Sequence, residues 1–483
     1  MANNTSDSQS YCGNQSFDSL HKHFMALIHA EDSFDILYKV FDVGNRKACI
    51  YFIDGFSNGE LMEKILDFLL GLKAEDVPDS MHDFAKMCMP YGDMSAVKDD
   101  ATFIKMVLSG LTCMVVEGYE YVISIDMRKY PGRSVEEPER NKSIRGSRDG
   151  FVESVMSNVS LVRRRIRDVD LSMKIYQIGK SSKTDVVVAY MENRVEKKLL
   201  DELDKRLNAI DTDSLTMNQQ SLVECIYEHH WINPFPKFKF SERPDTTAAC
   251  LLEGNIVILV DNSPSSIIIP TSVFDIIEDA DDYYFPPITG TYLRLSRFTS
   301  NLVTVFLTPV FLLLMNNPQW IPQWLSFIQI ADEVYVPPFV QFLLLELAID
   351  GLKLASVNTP SMLNTPLAVV AGIVMGDYSV SSGWFNSEIM LYMAVVAVSN
   401  YTQSNFELGY ALKFMRLISL ILTQIFGLPG LIASVIFFLC CLVFNRTFGG
   451  KSYLYPLIPF HWSKLKRRLF RYSLPKTAEK SGR

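Results

Sequence analysis

Hydrophobic and polar positions divide the chain near residue 298. From Phe298 to Phe448 apolar residues dominate: Asn301–Leu314 reads NLVTVFLTPVFLLL, and the stretch Leu408–Phe444 holds ISLILTQIFGLPGLIASVIFFLCCLVF with a single Gly-Leu-Pro-Gly break. A bilayer core of about 30 Å takes roughly 20 apolar helical residues per crossing, so membrane-crossing helices are predicted here. Before residue 298 the pattern changes to short strands and amphipathic helices. Lys47–Ile53 is strand-like and precedes a helical stripe in Glu60–Leu72, with Leu61, Ile65, Phe68 and Leu69 on one side. Cys113–Gly118 and Tyr121–Asp126 predict a hairpin turning at Glu117-Gly118. A second set follows: strand Asp185–Tyr190, helix Val195–Leu207, and a hairpin of Cys250–Gly254 with Ile256–Asp261. This spacing predicts two similar α/β subdomains, a duplication.

The predicted order is a polar tail (1–30), a first cytoplasmic α/β subdomain (31–130), a helical connector (131–175) and a second subdomain (176–275). A linker (276–297), an α-helical transmembrane domain (298–448) and a basic tail (449–483) complete it. About four crossings are expected, with re-entrant or interfacial helices between them. Residues 1–30 are polar with a short helical segment near Leu20–Ile28 and no basic-then-apolar leader. The far end carries Lys464, Lys466, Arg467, Arg468, Arg471, Lys476, Lys480 and Arg483 against Glu479 alone. The positive-inside rule places that end on the cytoplasmic side, and without a leader the N-terminal region is expected there too.

Composition adds little until it is divided by region. The 483 residues are 48% hydrophobic with a formal net charge of -8, which hides a charged first part and a charge-poor remainder. Eight cysteines form no CxxC pair, and no histidine stands at ligand spacing, so neither a metal site nor a disulfide frame is indicated. P-loop, GxGxxG, GxSxG and HExxH patterns are absent, and no enzymatic activity or cofactor is expected. His229 and His230, beside Trp231, suggest surface packing, and Asp261-Asn-Ser-Pro264 a turn.

Charge inside the apolar region is the candidate chemistry. Glu346, Asp350 and Lys353 stand at i, i+4 and i+7 of a predicted helix, Phe339–Leu354, on one stripe. Buried charge in a bilayer is costly, so these groups face protein interior or water. Two roles are open: an ion pathway, with a carboxylate pair per protomer forming a cation-attracting band, or internal ion pairs with each other or with Glu407, Lys413 and Arg416 further along. A second basic feature precedes the second subdomain. Arg145, Arg148 and Asp149 lead into a helix whose apolar stripe is Phe151, Val155, Val159, Val162 and Ile166, and whose other face carries Arg163, Arg164, Arg165 and Arg167. With no aromatic platform beside it, nucleic acid is not the expected partner. A subunit interface suits these forked guanidinium groups better.

Several long motifs carry a resemblance. YPGRSVEEPE, RGSRDGFVESVMSN, LVRRRIRD, Asn233–Asp245 (NPFPKFKFSERPD), Leu251–Thr271 (LLEGNIVILVDNSPSSIIIPT) and Phe406–Arg416 (FELGYALKFMR) occur in one order. Together they resemble the A-subunit family of spore germination proteins, the GerA family. FDILYKV and IYFIDGF are similar to its SpoVAF-like branch. The resemblance implies a multi-pass protein of the inner membrane of a bacterial endospore that oligomerises into a ring. It would release ions from the spore core with, or downstream of, nutrient receptors, beside other germination membrane subunits and membrane lipid. A non-conducting signal-transducing scaffold is the alternative, and a secondary transporter, lacking a clear inverted repeat, a third.

Overall fold

Apolar residues at consecutive positions Ala48–Ile53 send side chains to both faces of a strand, and the structure covers both faces with helices. In this computed structural model, residues 16–89, 94–130, 146–227 and 233–472 are described. They form two compact units: the described residues of 16–130, 147–227 and 238–270 make the first, and 146, 233–237 and 271–472 the second.

The first lobe of the α/β unit opens with α1 (Phe17–Leu27), β1 (Ile36–Val43), β2 (Arg46–Ile53), α2 (Gly59–Leu70) and α3 (Met81–Met87). It closes with β3 (Met94–Val97), α4 (Asp100–Leu108), β4 (Thr112–Val116) and β5 (Val122–Ile125). The sheet is antiparallel in the order β1-β2-β4-β5-β3. Cys49, Tyr51 and Ile53 of β2 pack with Phe24 of α1 and Phe103 of α4. Ala48 and Ile50 point the other way, towards Ile65 and Leu69 of α2 and Phe84 of α3. Each fully buried Ile, Leu or Phe among them contributes about 1.5–3 kcal/mol, and a strand buried on both faces must be apolar throughout.

The second lobe repeats this plan: α5 (Val155–Arg165), β6 (Leu171–Ile178), β7 (Thr184–Met191), α6 (Lys197–Asn208), α7 (Asn218–Ile226), β8 (Lys239–Ser241), α8 (Pro244–Leu252), β9 (Ile256–Val260) and β10 (Ser266–Ile269). Its order, β6-β7-β9-β10-β8, is the same permutation. The helix expected to connect the lobes is thus the opening element of the second, in the place that α1 holds in the first. One expectation is corrected. Cys250–Gly254 is not a strand but the end of α8, and β9 turns back through residues 261–265 to β10. Gly254 (φ +95°) ends α8 as Gly110 (φ +87°) ends α4, so the two glycines are counterparts. Two hydrogen bonds, one backbone to backbone and one backbone to side chain, join the lobes edgewise: the Phe34 amide donates to the Met173 carbonyl at 3.1 Å, and the Met173 amide donates to Ser33 Oγ at 3.2 Å.

The second unit is helical. Short helices α9 (Val273–Ile277) and α10 (Asp281–Tyr284) lead to α11 (Pro287–Asn316), followed by α12 (Pro338–Asn358), α13 (Ser361–Gly372), a π-helical stretch (Ile373–Tyr378) and α14 (Ser379–Ser381). Then come α15 (Ser387–Tyr401), α16 (Phe406–Phe426), α17 (Leu428–Val443) and α18 (Trp462–Leu469). Packing fixes their directions. Val305 of α11 clusters with Leu412 and Met415 of α16, while Phe311 and Leu312 cluster with Leu420, so these two helices run the same way. Phe342 of α12 meets Phe311 at the far end, and Lys353 meets Phe406 and Tyr410 at the near end, so α12 returns. The α13–α14 leg goes back to the far end, where Asn386 bonds Gln341, and α15 returns to put Asn400 against Gly409.

At the end of α16, Gly427 (φ +63°) turns the chain into α17, so the Gly-Leu-Pro-Gly segment divides two helices rather than kinking one. A Cβ on Gly430 would lie 1.9 Å from the Leu422 carbonyl oxygen; only glycine lets this hairpin close. Six legs of alternating direction result. Two of them, Pro287–Asn316 and Phe406–Phe426, are long and apolar enough to cross a membrane. The helix α12 has the length but carries Glu346, Asp350 and Lys353, and α17 is apolar but shorter.

Candidate functional site

The antiparallel pairing of α12 with α16 builds a ladder of charge. Carboxylates four residues apart on α12 meet cations three residues apart on α16, so each turn along one helix is matched by a turn back along the other. Glu346 Oε1 accepts from Arg416 Nε at 2.5 Å, Glu346 Oε2 lies 3.4 Å from Lys413 Nζ, and Asp350 pairs with Lys413. Arg416 also donates to the Thr304 carbonyl of α11 at 2.9 Å. Glu346, Lys413 and Arg416 are buried, whereas the Asp350 side chain is 36% exposed. Lys353 lies over the Tyr410 ring at 4.3 Å, a cation–π contact in place of a third ion pair. Glu407 is exposed on the first turn of α16 and does not join the ladder; a carboxylate there favours the helix dipole. The ladder residues line a cavity of about 20 Å³ with Tyr401 and Asn400, room for about one water.

A polar stripe that the periodicity did not single out continues the ladder. Thr304 and Thr308 of α11 and Thr423 of α16 are fully buried, and their hydroxyl oxygens have no hydrogen-bond partner among the described residues. Ser419 and Ser434 share a hydrogen bond at 2.8 Å between α16 and α17. The signal was the Thr-x-x-x-Thr spacing of Asn301–Leu314, which places both hydroxyls on one helix face. At the far end, buried Gln341 donates to Asn386 Oδ1 and to the Val336 carbonyl, both at 2.7 Å. This holds a loop pocket of about 600 Å³ lined by Asp332, Glu333, Tyr335 and Trp384.

The near end carries another cluster missed from sequence. Arg294, 1% exposed on α11, donates to Asp282 at 3.2 Å and to Glu278 at 2.7 Å. Its remaining nitrogen donates to the carbonyls of Arg467 (3.1 Å) and Arg468 (2.9 Å) at the end of α18. Burial pushes the Asp282 carboxyl upward despite Arg297 and Arg294 beside it. The partners lie far apart in sequence, so no local pattern reveals them.

In the α/β unit the arginine segment separates into two roles. Arg163 faces inward, contrary to its expected place on the charged face, because its guanidinium is completely buried. It donates to both Asp35 carboxylate oxygens (2.7 and 2.9 Å), to Ser33 Oγ (2.8 Å) and to the Leu171 carbonyl (3.0 Å). It therefore ties the second lobe to the first. Arg164, Arg165, Arg167, Arg148 and Asp149 are exposed. Arg165 pairs with Asp149 at 2.9 Å, Arg164 lies over the Tyr130 ring at 4.8 Å, and Arg167 reaches Ser109 Oγ at 3.5 Å. Arg145, with His229, His230 and Trp231, lies outside the described residues. Among the described residues no group of His, Cys, Asp and Glu side chains is disposed to hold a metal ion. Asp261, expected in a turn, accepts from the Val155 amide at 3.1 Å and so anchors the start of α5.

Comparison with known proteins gives consistent results along the chain. The family model described as Bacillus/Clostridium GerA spore germination protein matches residues 24–482. Stage V sporulation protein AF of Bacillus subtilis (strain 168) is 34% identical over 444 residues, covering 90% of this chain and 90% of that protein. Spore germination protein GerLA of Bacillus cereus is 30% identical over 378 residues, covering 77% of this chain and 76% of that one. The crystal structure of the N-terminal domain of the A subunit of the Bacillus megaterium spore germinant receptor GerK3 aligns at 27% identity with a TM-score of 0.39. That alignment covers 53% of this chain and 94% of that domain.

Proposed function

We propose, starting from the fact that this chain belongs to the Bacillus/Clostridium GerA family of spore germination proteins, that it acts in germination as a gated cation channel. In this reading the six-legged helical unit lies in the inner spore membrane and several copies close into a ring. The α/β unit stays on the cytoplasmic side and regulates opening, and other germination membrane subunits are its partners. The observation that carries the reading is the α12–α16 ladder. Buried Glu346, Lys413 and Arg416, the part-exposed Asp350 and threonine hydroxyls without a partner among the described residues lie in a helical unit whose outer surface exposes Leu302, Ile421, Ile425, Ile432, Ile436 and Leu439. An apolar exterior of this kind suits lipid, and charge kept at membrane depth marks ion pathways and relays. The paired arrangement is then the closed state. Opening exchanges the Lys413 and Arg416 contacts of Glu346 and Asp350 for water and ions.

The same paired geometry also favours a second reading, in which the ladder only holds α12 against α16 and the chain transmits a partner's signal without conducting. Potassium release from liposomes holding this chain alone separates the two. The channel reading expects release that Glu346→Gln alters at unchanged assembly. Tight vesicles containing correctly assembled protein would leave the scaffold.

A further inference from the structure

At the near end of the helical unit, α18 has two unlike sides. Its inward side is committed: Leu465 is buried, Arg468 pairs with Glu278 and Asp275 at 2.6 Å each, and the helix end is held by Arg294. Its outward side carries Trp462, Lys464, Lys466 and Arg467, with the Lys466 ammonium 4.8 Å over the Trp462 ring. The preceding turn exposes Leu457, Ile458 and Phe460, and Phe460 stacks on Trp462 at 6.0 Å. Phe460 is 61% and Trp462 54% exposed. A folded chain leaves such a cluster in water only where something else covers it.

We propose that residues 457–462 and the outward side of α18 form a docking face for the anionic headgroups of the bilayer surface, an inference that rests on the membrane reading above. Place and composition agree. Arg294 fixes α18 beside the start of α11, at the end where this candidate span begins its course into the apolar layer. A helix lying at that level with aromatic side chains at headgroup depth and cations beside them has the composition of an interfacial anchor. The three outward cations complement anionic phosphates, and each cation at such a surface changes occupancy about fivefold. A protein partner would need carboxylates opposite the same cations, and that alternative is separated by the test.

The test uses the intact chain in bilayers containing brominated anionic or brominated zwitterionic lipid at equal mole fraction, with tryptophan quenching as readout. The Trp462 component is the difference between the natural chain and Trp462→Phe. Trp320, Trp324 and Trp384, exposed at the far end, report separately whether the helical unit is in the bilayer. Quenching of the Trp462 component should be at least about fivefold stronger with anionic lipid. It should fall to parity in the Lys464→Gln, Lys466→Gln, Arg467→Gln variant, which leaves Arg468 and Arg294 in place. An unquenched Trp462 component beside quenched far-end tryptophans overturns the inference and spares the membrane reading, as does equal quenching by both lipids that the triple variant does not change. Shielding of Trp462 from an aqueous quencher without lipid quenching also overturns it, in favour of a protein partner. If no tryptophan is quenched, the membrane reading falls and takes this inference with it.

Discussion

Removing Arg163 should unlock the two lobes of the α/β unit. Its guanidinium satisfies Asp35, Ser33 and the Leu171 carbonyl from a site without solvent. In Arg163→Met the Asp35 carboxylate stays buried with its ion-pair partner gone, and breaking one side of a buried pair costs about 3–5 kcal/mol. Replacing both partners by apolar groups (Arg163→Met with Asp35→Leu) leaves no stranded charge and should recover much of that loss. The reporter is Cys113, fully buried in the first lobe, with its thiol pushed upward by burial. Its alkylation in graded urea, read by peptide mass spectrometry, follows the open population of that lobe. At about 1.4 kcal/mol per tenfold, the single variant should raise alkylation by roughly two to three and a half orders of magnitude. A rise below about fivefold would mean the pair behaves like an exposed one. Additive losses in the double variant would equally refute the stranded-charge explanation.

Two further outcomes follow from other parts of the chain. Burial pushes the Cys49 thiol up to about 11, so the folded state holds a proton that the unfolded chain releases at the ordinary thiol value. The resulting stability is complete below that value and is lost as pH rises through about 11, on the order of 3 kcal/mol; alkaline melting of the natural chain against Cys49→Ala should show it, and identical curves would contradict it. In the helical unit, Gly430→Ala places a Cβ against the Leu422 carbonyl and should lower yield and melting temperature through overpacking of at least about 1–3 kcal/mol. Gly351→Ala, where the added carbon meets nothing within 4 Å, should be neutral or slightly stabilising. Equal behaviour of the two variants would mean the α16–α17 hairpin is not closed as described.

Elements buried on a regular period were legible in the sequence. β2, β7, α2 and α6 show their stripes, and the long apolar runs of α11, α16 and α17 stand out. The edge strands β1 and β6 did not, because each pairs with a strand on one flank only and residues such as Leu37, Tyr38 and Ile175 stay exposed among polar ones. The second hairpin lies one element later than the pattern indicates, since Cys-Leu-Leu-Glu-Gly reads equally as an apolar strand or as a helix end closed by glycine. Arg163 was placed on the outer face by its charge, and its partner Asp35 lies 128 residues away. At the ladder, spacing showed that Glu346, Asp350 and Lys353 share a stripe. It did not show that aromatic rings of α16 take the lysine while Lys413 and Arg416 take both carboxylates, because that choice depends on the register between two helices.

The most direct measurement is the reversal potential of planar bilayers holding the purified, assembled chain under a potassium chloride gradient. Conduction past the Glu346 and Asp350 carboxylates predicts a cation-selective potential that moves towards zero in Asp350→Asn. Silent bilayers from particles proven to be intact rings, or a potential indifferent to both carboxylates, would contradict it.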